Sequence, residues 1–261
     1  MSSGQLRKHE QFRSRFLRNQ RDLIVYTPPG YADQSRRRHF PVLYLHDGQN
    51  LFDGATSFIP GQDWHVGQTA DRCIQTGAVA PLIIVGMYNT RARIREYTPT
   101  QVPKLGGGRA DRYAKFLVEE VKPFVDREYR TLSSSQHTGI GGSSLGGLVS
   151  LYLGLQHSRI FGKIAALSPS VWWNQQVIHR FARTATVEPR PRIWLDIGTR
   201  EGPRIVYDVE KFRDVLLERG WKLGKDLHYE RVEGAEHNEA AWAQRVGPFL
   251  RFLYPAREAA V

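Results

Sequence analysis

A single cysteine, Cys73, stands in 261 residues, so no internal disulfide and no cysteine-rich metal cluster can form. The fold therefore does not depend on an oxidising compartment. Long apolar runs are missing as well. No window approaches the ~18 apolar residues of a membrane-crossing helix. The first ten residues, Met1 to Glu10, carry basic groups without the apolar stretch of about 7–15 residues that a secretory signal needs. A soluble, cytoplasmic protein with no membrane partner is the expectation, with residues 1–10 as a flexible tail.

Metal and phosphate signatures are also absent: there is no His-Glu-x-x-His and no carboxylate-rich loop. Gly106-Gly107-Gly108 lacks the following Lys-Ser/Thr and the preceding strand of a phosphate loop. Neither a metal nor a cofactor is expected. Acidic charge is outweighed by basic, 26 Asp and Glu against 37 Lys and Arg, for a net +11. Such a balance raises nucleic acid as a partner, but the arginines are spread along the chain. The densest run, Arg36-Arg37-Arg38-His39, falls in a loop and has no zinc-finger or RRM signature beside it. A solvated basic surface that attracts an anionic small molecule fits better than nucleic-acid binding. Oligomeric state is not legible.

What is present suffices for a globular core, with 41% apolar residues and six Trp. Short β-branched or aromatic runs alternate with amphipathic segments, which predicts an α/β fold: a mostly parallel sheet with helices on both faces. Strands are predicted near 11–17, 22–27, 40–45, 81–86, 137–142, 163–167, 192–198 and 226–232. Helices are predicted near 68–75, 112–129, 145–156, 205–219 and 239–254. Pro123 is expected to kink or divide the second of these. Residues 89–108 read as one long irregular loop. No repeat or linker interrupts the series, so 1–261 is read as a single domain.

Gly142-Ser143-Ser144-Leu145-Gly146 lies between a glycine-ended strand and a helix, the place of a nucleophile elbow. Only Ser144 has Gly both two before and two after, so it is the candidate nucleophile. A serine hydroxyl needs a neighbouring base. His237, in Gly234-Ala235-Glu236-His237-Asn238, follows the last strand, where this fold order places the histidine. His157, His179 and His228 sit less suitably.

Three carboxylates compete to orient His237. Asp196 lies within its strand, Asp208 about a turn inside the next helix, and Glu201 on the loop just beyond the strand end. Glu201 is the best placed, and the other two stay open. An oxyanion needs two donors. The amide of Leu145, at a helix amino terminus, is one; Gly48 is the candidate for the other, with Gln49 next. Trp172 and Trp173 are equally readable as an aromatic pocket beside Ser144 or as core. The arginines of 91–95 suggest an anionic ligand.

Four segments together resemble one α/β-hydrolase family. They are Val25-Tyr26-Thr27-Pro28-Pro29-Gly30-Tyr31, Leu43 to Phe52 with its His46-Asp47-Gly48-Gln49-Asn50 core, Gly141 to Gly147, and Gly234 to Asn238. The family holds esterase D-like proteins, enterochelin-type siderophore esterases, feruloyl and acetylxylan esterases, and mycolyltransferases. The likeness runs from about residue 13 to 253. It implies a three-layer α/β-hydrolase fold with no large cap domain, no cofactor, and Ser144 and His237 as nucleophile and base. Gly198-Thr199-Arg200-Glu201 is similar to a Gly-x-Arg-Glu stretch of the enterochelin-esterase branch, which favours Glu201. Some of that branch work as Ser-His dyads. Arg95-Glu96-Tyr97-Thr98-Pro99 is similar to a segment near the substrate mouth. The expectation is a serine carboxylic-ester hydrolase acting through an acyl-enzyme on a small-molecule ester, anionic or aromatic. A trilactone siderophore is the specific alternative, and a catalytically silent binder on the same fold the rival.

Overall fold

The computed structural model describes residues 3–33 and 38–256; Arg36 and Arg37 of the basic run lie outside them. Eight strands form one sheet. They are β1 (Gln5–Ser14), β2 (Asn19–Thr27), β3 (Val42–His46), β4 (Ile83–Met87), β5 (Thr138–Ser143), β6 (Lys163–Leu167), β7 (Arg192–Gly198) and β8 (Leu227–Val232). Their spatial order is β1-β2-β4-β3-β5-β6-β7-β8. The first two run antiparallel to their neighbours, and β4 through β8 are parallel. Among the described residues no cap domain is inserted between these elements, as expected for the α/β class.

Period-two alternation splits the core between the two sheet faces. Val42, Tyr44, Ile83 and Val85 pack with the helices Ala110–Phe116, Leu145–Gln156, Trp173–Thr184 and Pro203–Glu218. Leu43, Leu45 and Ile84 pack with the helices Val66–Gln75 and Val246–Leu253. The central strands β3 to β6 are buried along their whole length, which is why β3 and β4 read as apolar runs.

Four expectations need correction. From Gln5 on, the segment expected as a tail is a strand, because β1 begins there and pairs with β2 as far as Gln5↔Thr27. The strand predicted near 11–17 overlaps its second half, and the exposed polar side chains of its first half explain why residues 5–10 were not read as strand. The long loop over 89–108 contains a helical turn, Arg93–Glu96, and a two-residue hairpin, Gln101–Val102 with Gly106–Gly107. Pro123 does not divide its helix; a π-helical stretch at Leu117–Val121 precedes it, and the helix continues through Lys122–Glu128. The last helix is broken instead, into Glu239–Ala243 and Val246–Leu253, with Arg245 between them. No helix among the described residues is long and apolar enough to cross a membrane.

Candidate active site

Between β5 and the helix Leu145–Gln156 the chain turns sharply at Ser144, whose φ of 57° and ψ of −122° no ordinary L residue favours. Small neighbours permit this turn. A Cβ on Gly142 would fall 3.1 Å from the Gly146 carbonyl carbon and from His46 Cβ. The Ser144 amide donates to the Leu167 carbonyl, and its carbonyl accepts from the Leu148 and Ser170 amides, all at 3.0 Å. The Ser144 hydroxyl shares a 3.3 Å hydrogen bond with the Ser170 hydroxyl. Leu145, the first helical residue, has an N–H with no acceptor inside the helix, and it stands at the positive end of the dipole.

The strands β7 and β8 run side by side in parallel, with Gly198 paired to Val232. From their ends leave the turn Thr199–Glu201 and the loop carrying His237. Two bonds join the two loops: the Arg200 amide donates to the Ala235 carbonyl at 3.1 Å, and the Gly234 amide to Thr199 Oγ1 at 2.8 Å. Gly198 allows this approach, since a Cβ there would lie 2.3 Å from the Ala235 oxygen and 2.9 Å from Glu201 Oε1.

The result is a Glu201 Oε2 to His237 Nδ1 contact of 2.6 Å. Glu201 is 1% exposed at its side chain and His237 44%. Burial raises the Glu201 carboxyl, but the bonds from His237 and Ser168 outweigh it and hold the group below its ordinary value. An ionised Glu201 places the imidazole proton on Nδ1 and leaves Nε2 as an acceptor.

Of the other two carboxylates, Asp196 is fully buried behind Glu201. Its Oδ1 accepts from Arg245 Nη1 at 2.6 Å and from the Ser168 amide at 3.1 Å, and its Oδ2 accepts from Trp194 Nε1 at 2.6 Å. Asp208 is buried, with Gln176 Nε2 donating to it at 2.7 Å. Neither touches His237.

Ser144 and His237 line one cavity of about 250 Å³. Its polar wall is Asp47, Asn50, Asn89, Arg93 and Glu239, and its apolar wall Phe58, Ile59 and Trp242. The loop after β3 contributes Asp47 and Asn50 to that wall. Gly48 begins a short 3₁₀ turn packed on β4, where a Cβ would fall 2.6 Å from the Gly86 carbonyl carbon. Gln49 Oε1 accepts from the Asn89 amide at 3.2 Å.

The tryptophans of the Trp172-Trp173 pair do not line this cavity. Trp173 is buried, its Nε1 donating to the Thr100 carbonyl, and Trp172, 41% exposed, borders a separate hollow with Arg204 and Asp208. The aromatic wall comes instead from Phe58 and from Trp242, whose ring meets His237 edge-on at 4.9 Å.

The arginine-rich segment 91–95 is corrected too. Only Arg93 lines the cavity, and its guanidinium grips Asp47, with Nε to Oδ1 at 2.8 Å and Nη2 to Oδ2 at 2.7 Å. Asn89 Nδ2 adds a third donor to Asp47 at 2.7 Å. Sequence reasoning missed Asp47, Asn89 and Glu239 as cavity residues. Asp47 sat inside a quoted motif, while Glu239, two residues past His237, was read only as the start of a helix.

A parallel sheet with an elbow serine at a strand end, and a histidine paired to a carboxylate on the next loops, defines a hydrolase of the α/β class. The family model described as "Putative esterase" matches residues 14–253, and the chain belongs to that family. It is a carboxylic-ester hydrolase.

The protein YbbA of Bacillus subtilis is 26% identical across 96% of both chains. The ferri-bacillibactin esterase BesA of the same organism is 33% identical over 58% of this chain and 53% of its own length. The chain thus matches only about half of that siderophore esterase. Among solved structures, an IroE-like serine hydrolase from Shewanella oneidensis superposes with a TM-score of 0.76 at 23% identity, covering 96% of this chain and 80% of that one.

Proposed function

We propose that the chain hydrolyses carboxylic esters through an acyl-enzyme, with Ser144 as nucleophile, His237 as base and Glu201 as the acid that orients it. The observation that carries this reading is the 2.6 Å Glu201–His237 contact at the mouth of the cavity that Ser144 lines. In the resting arrangement the Ser144 hydroxyl is bonded to Ser170. In the reaction the hydroxyl leaves Ser170 for His237 Nε2, which takes the proton as oxygen attacks the ester carbonyl. The tetrahedral oxyanion is held by the Leu145 amide and by an amide of the Gly48-Gln49 turn. His237 then returns the proton to the leaving alcohol. Water, activated by the same base, releases the acid.

The cavity favours a compact ester. One group lies against Phe58, Ile59 and Trp242, and hydrogen-bonding atoms face Asn50 and Asn89. Burial, followed by the charge of Asp47, raises the Glu239 carboxyl, which accepts from Asn50 Nδ2 at 3.1 Å. With Arg93 already neutralised by Asp47, the walls offer little to a second negative charge. Neutral aromatic or hydroxylated esters suit them better than anionic ones. Trilactone siderophores stay as the second reading, supported by the similarity to siderophore esterases.

The test is a panel of short p-nitrophenyl, feruloyl and acetylated-sugar esters beside a catecholate trilactone, run with Ser144→Ala. Ser144→Ala should remove all turnover while keeping the fold. Unchanged turnover in that variant rejects the mechanism, and preference for the trilactone rejects the neutral-ester reading.

A further inference from the structure

Behind Glu201 lies a buried cluster on which the proposed reaction has so far made no demand. Ser168, Asp196 and Arg245 are all at most 2% exposed. The Ser168 hydroxyl has three neighbours: Arg245 Nη1 at 2.8 Å, Trp242 Nε1 at 3.1 Å and Glu201 Oε1 at 2.5 Å. A hydroxyl has two acceptor positions and one proton, and neither guanidinium nor indole nitrogen can accept. Both acceptor positions are therefore taken, and the proton can go only to Glu201. The direction of that bond follows from the chemistry of the three partners.

Arg245 has a carboxylate of its own. Its Nη1 lies 2.6 Å from Asp196 Oδ1, whereas its Nη2 is 3.9 Å from Glu201 Oε1, too far for a hydrogen bond. Asp196 thus engages the arginine, and Glu201 is free to face His237 with Oε2. The backbone at Ser168 has a φ of 43°, a left-handed conformation that glycine adopts freely and other L residues rarely do. Glycine would suit the backbone better but could not supply the hydroxyl.

We propose that Ser168 is a positioning residue. Its hydroxyl, oriented by Arg245 and Trp242, fixes the Glu201 carboxylate against His237 and keeps it out of a direct hydrogen bond with Arg245. The proposal rests on the reading of Glu201 as the orienting acid. The Gly198 amide, donating to Glu201 Oε1 at 2.9 Å, is the other anchor of that oxygen. Without the hydroxyl the carboxylate keeps one anchor and loses a donor that holds its ionisation below the ordinary value, so it stays ionised over a narrower range at the acid end.

The test compares Ser168→Ala and Ser168→Gly with wild type and Ser144→Ala, reading kcat, KM and the pH profile of kcat/KM on one p-nitrophenyl ester. Both Ser168 variants should lose roughly ten- to a hundred-fold in kcat with KM little changed. The acidic limb of the profile should move to higher pH in both. Ser168→Gly, relieved of the left-handed constraint, carries the test should Ser168→Ala not fold. A folded variant with the wild-type kcat and limb overturns the proposal, and so does a loss of kcat with the limb unmoved. Turnover surviving in Ser144→Ala is a different result, since it removes the hydrolase mechanism itself.

Discussion

Arg93 closes on Asp47 with two parallel hydrogen bonds of 2.8 and 2.7 Å, and Asp47 holds a left-handed backbone at φ 57° at the rim of the cavity. A planar fork matched to a carboxylate is a geometry that lysine cannot reproduce. Arg93→Met leaves the Asp47 charge buried and unpaired, and should cost roughly 3 kcal/mol of stability. Urea unfolding of Arg93→Met and of Asp47→Asn/Arg93→Met checks this, because the double variant should recover part of the loss. Equal losses in the two proteins mean that the pair is not what matters.

Glu201→Gln should lower kcat by about a hundred- to ten-thousand-fold, because the amide can no longer fix the Nδ1 proton and stabilise the imidazolium. Asp196→Asn should act mainly on stability, since Asp196 touches Arg245 and Trp194 rather than His237. Steady-state kinetics beside thermal melts of the two variants separates the roles. A larger kcat loss in Asp196→Asn reverses the assignment.

Acid should unfold the protein from an unusually high pH. Burial pushes His46 down to about 3, and burial with Arg183, Lys211 and Arg180 nearby pushes His179 down to about 4, both from 6.5. Each binds fewer protons folded than unfolded, so the stability tied to it is complete above about pH 6.5 and drains as pH falls toward the folded values. Glu201, held low, adds to the loss at the acid end of that range. Urea midpoints between pH 7 and 4 should therefore fall. A flat profile there, or one unaltered in His46→Gln, contradicts the assignment of His46.

Ser144 holds its backbone at a strained φ of 57°, and such positions cost on the order of 1–3 kcal/mol. Ser144→Gly should be inactive and more stable than Ser144→Ala by about 1 kcal/mol. Calorimetry of the two inactive proteins decides, and a less stable glycine variant means that the elbow carries no strain.

The central parallel strands were legible because their residues are buried on both faces. The helix at 145–156 and the strands at 163–167 and 192–198 coincide with their predicted bounds. β1 was legible only in part: the strand predicted near 11–17 overlaps it at 11–14, while its exposed polar first half has no apolar signature. Ser144, His237 and Glu201 could be placed from local motifs and fold order.

The polar wall of the cavity could not. Asp47, Asn89 and Arg93 meet only in three dimensions, and an arginine locked onto a carboxylate reads in sequence like one awaiting an anion. Ser168 was equally silent, because its role comes from partners 28 to 77 positions away.

Glu201 and His237 hang from neighbouring rungs of the sheet, Gly198 and Val232, at the ends of β7 and β8. β8 is the outermost strand on its side and is only partly buried. The carboxylate proposed to orient the base is thus rooted one strand in from the rim, and the proposed base lies beyond an edge strand, where local opening is easiest. Mild denaturant that loosens β8 should detach His237 from its partner while Ser144, on the central β5, stays in place. Catalysis should therefore fade before the molecule as a whole unfolds.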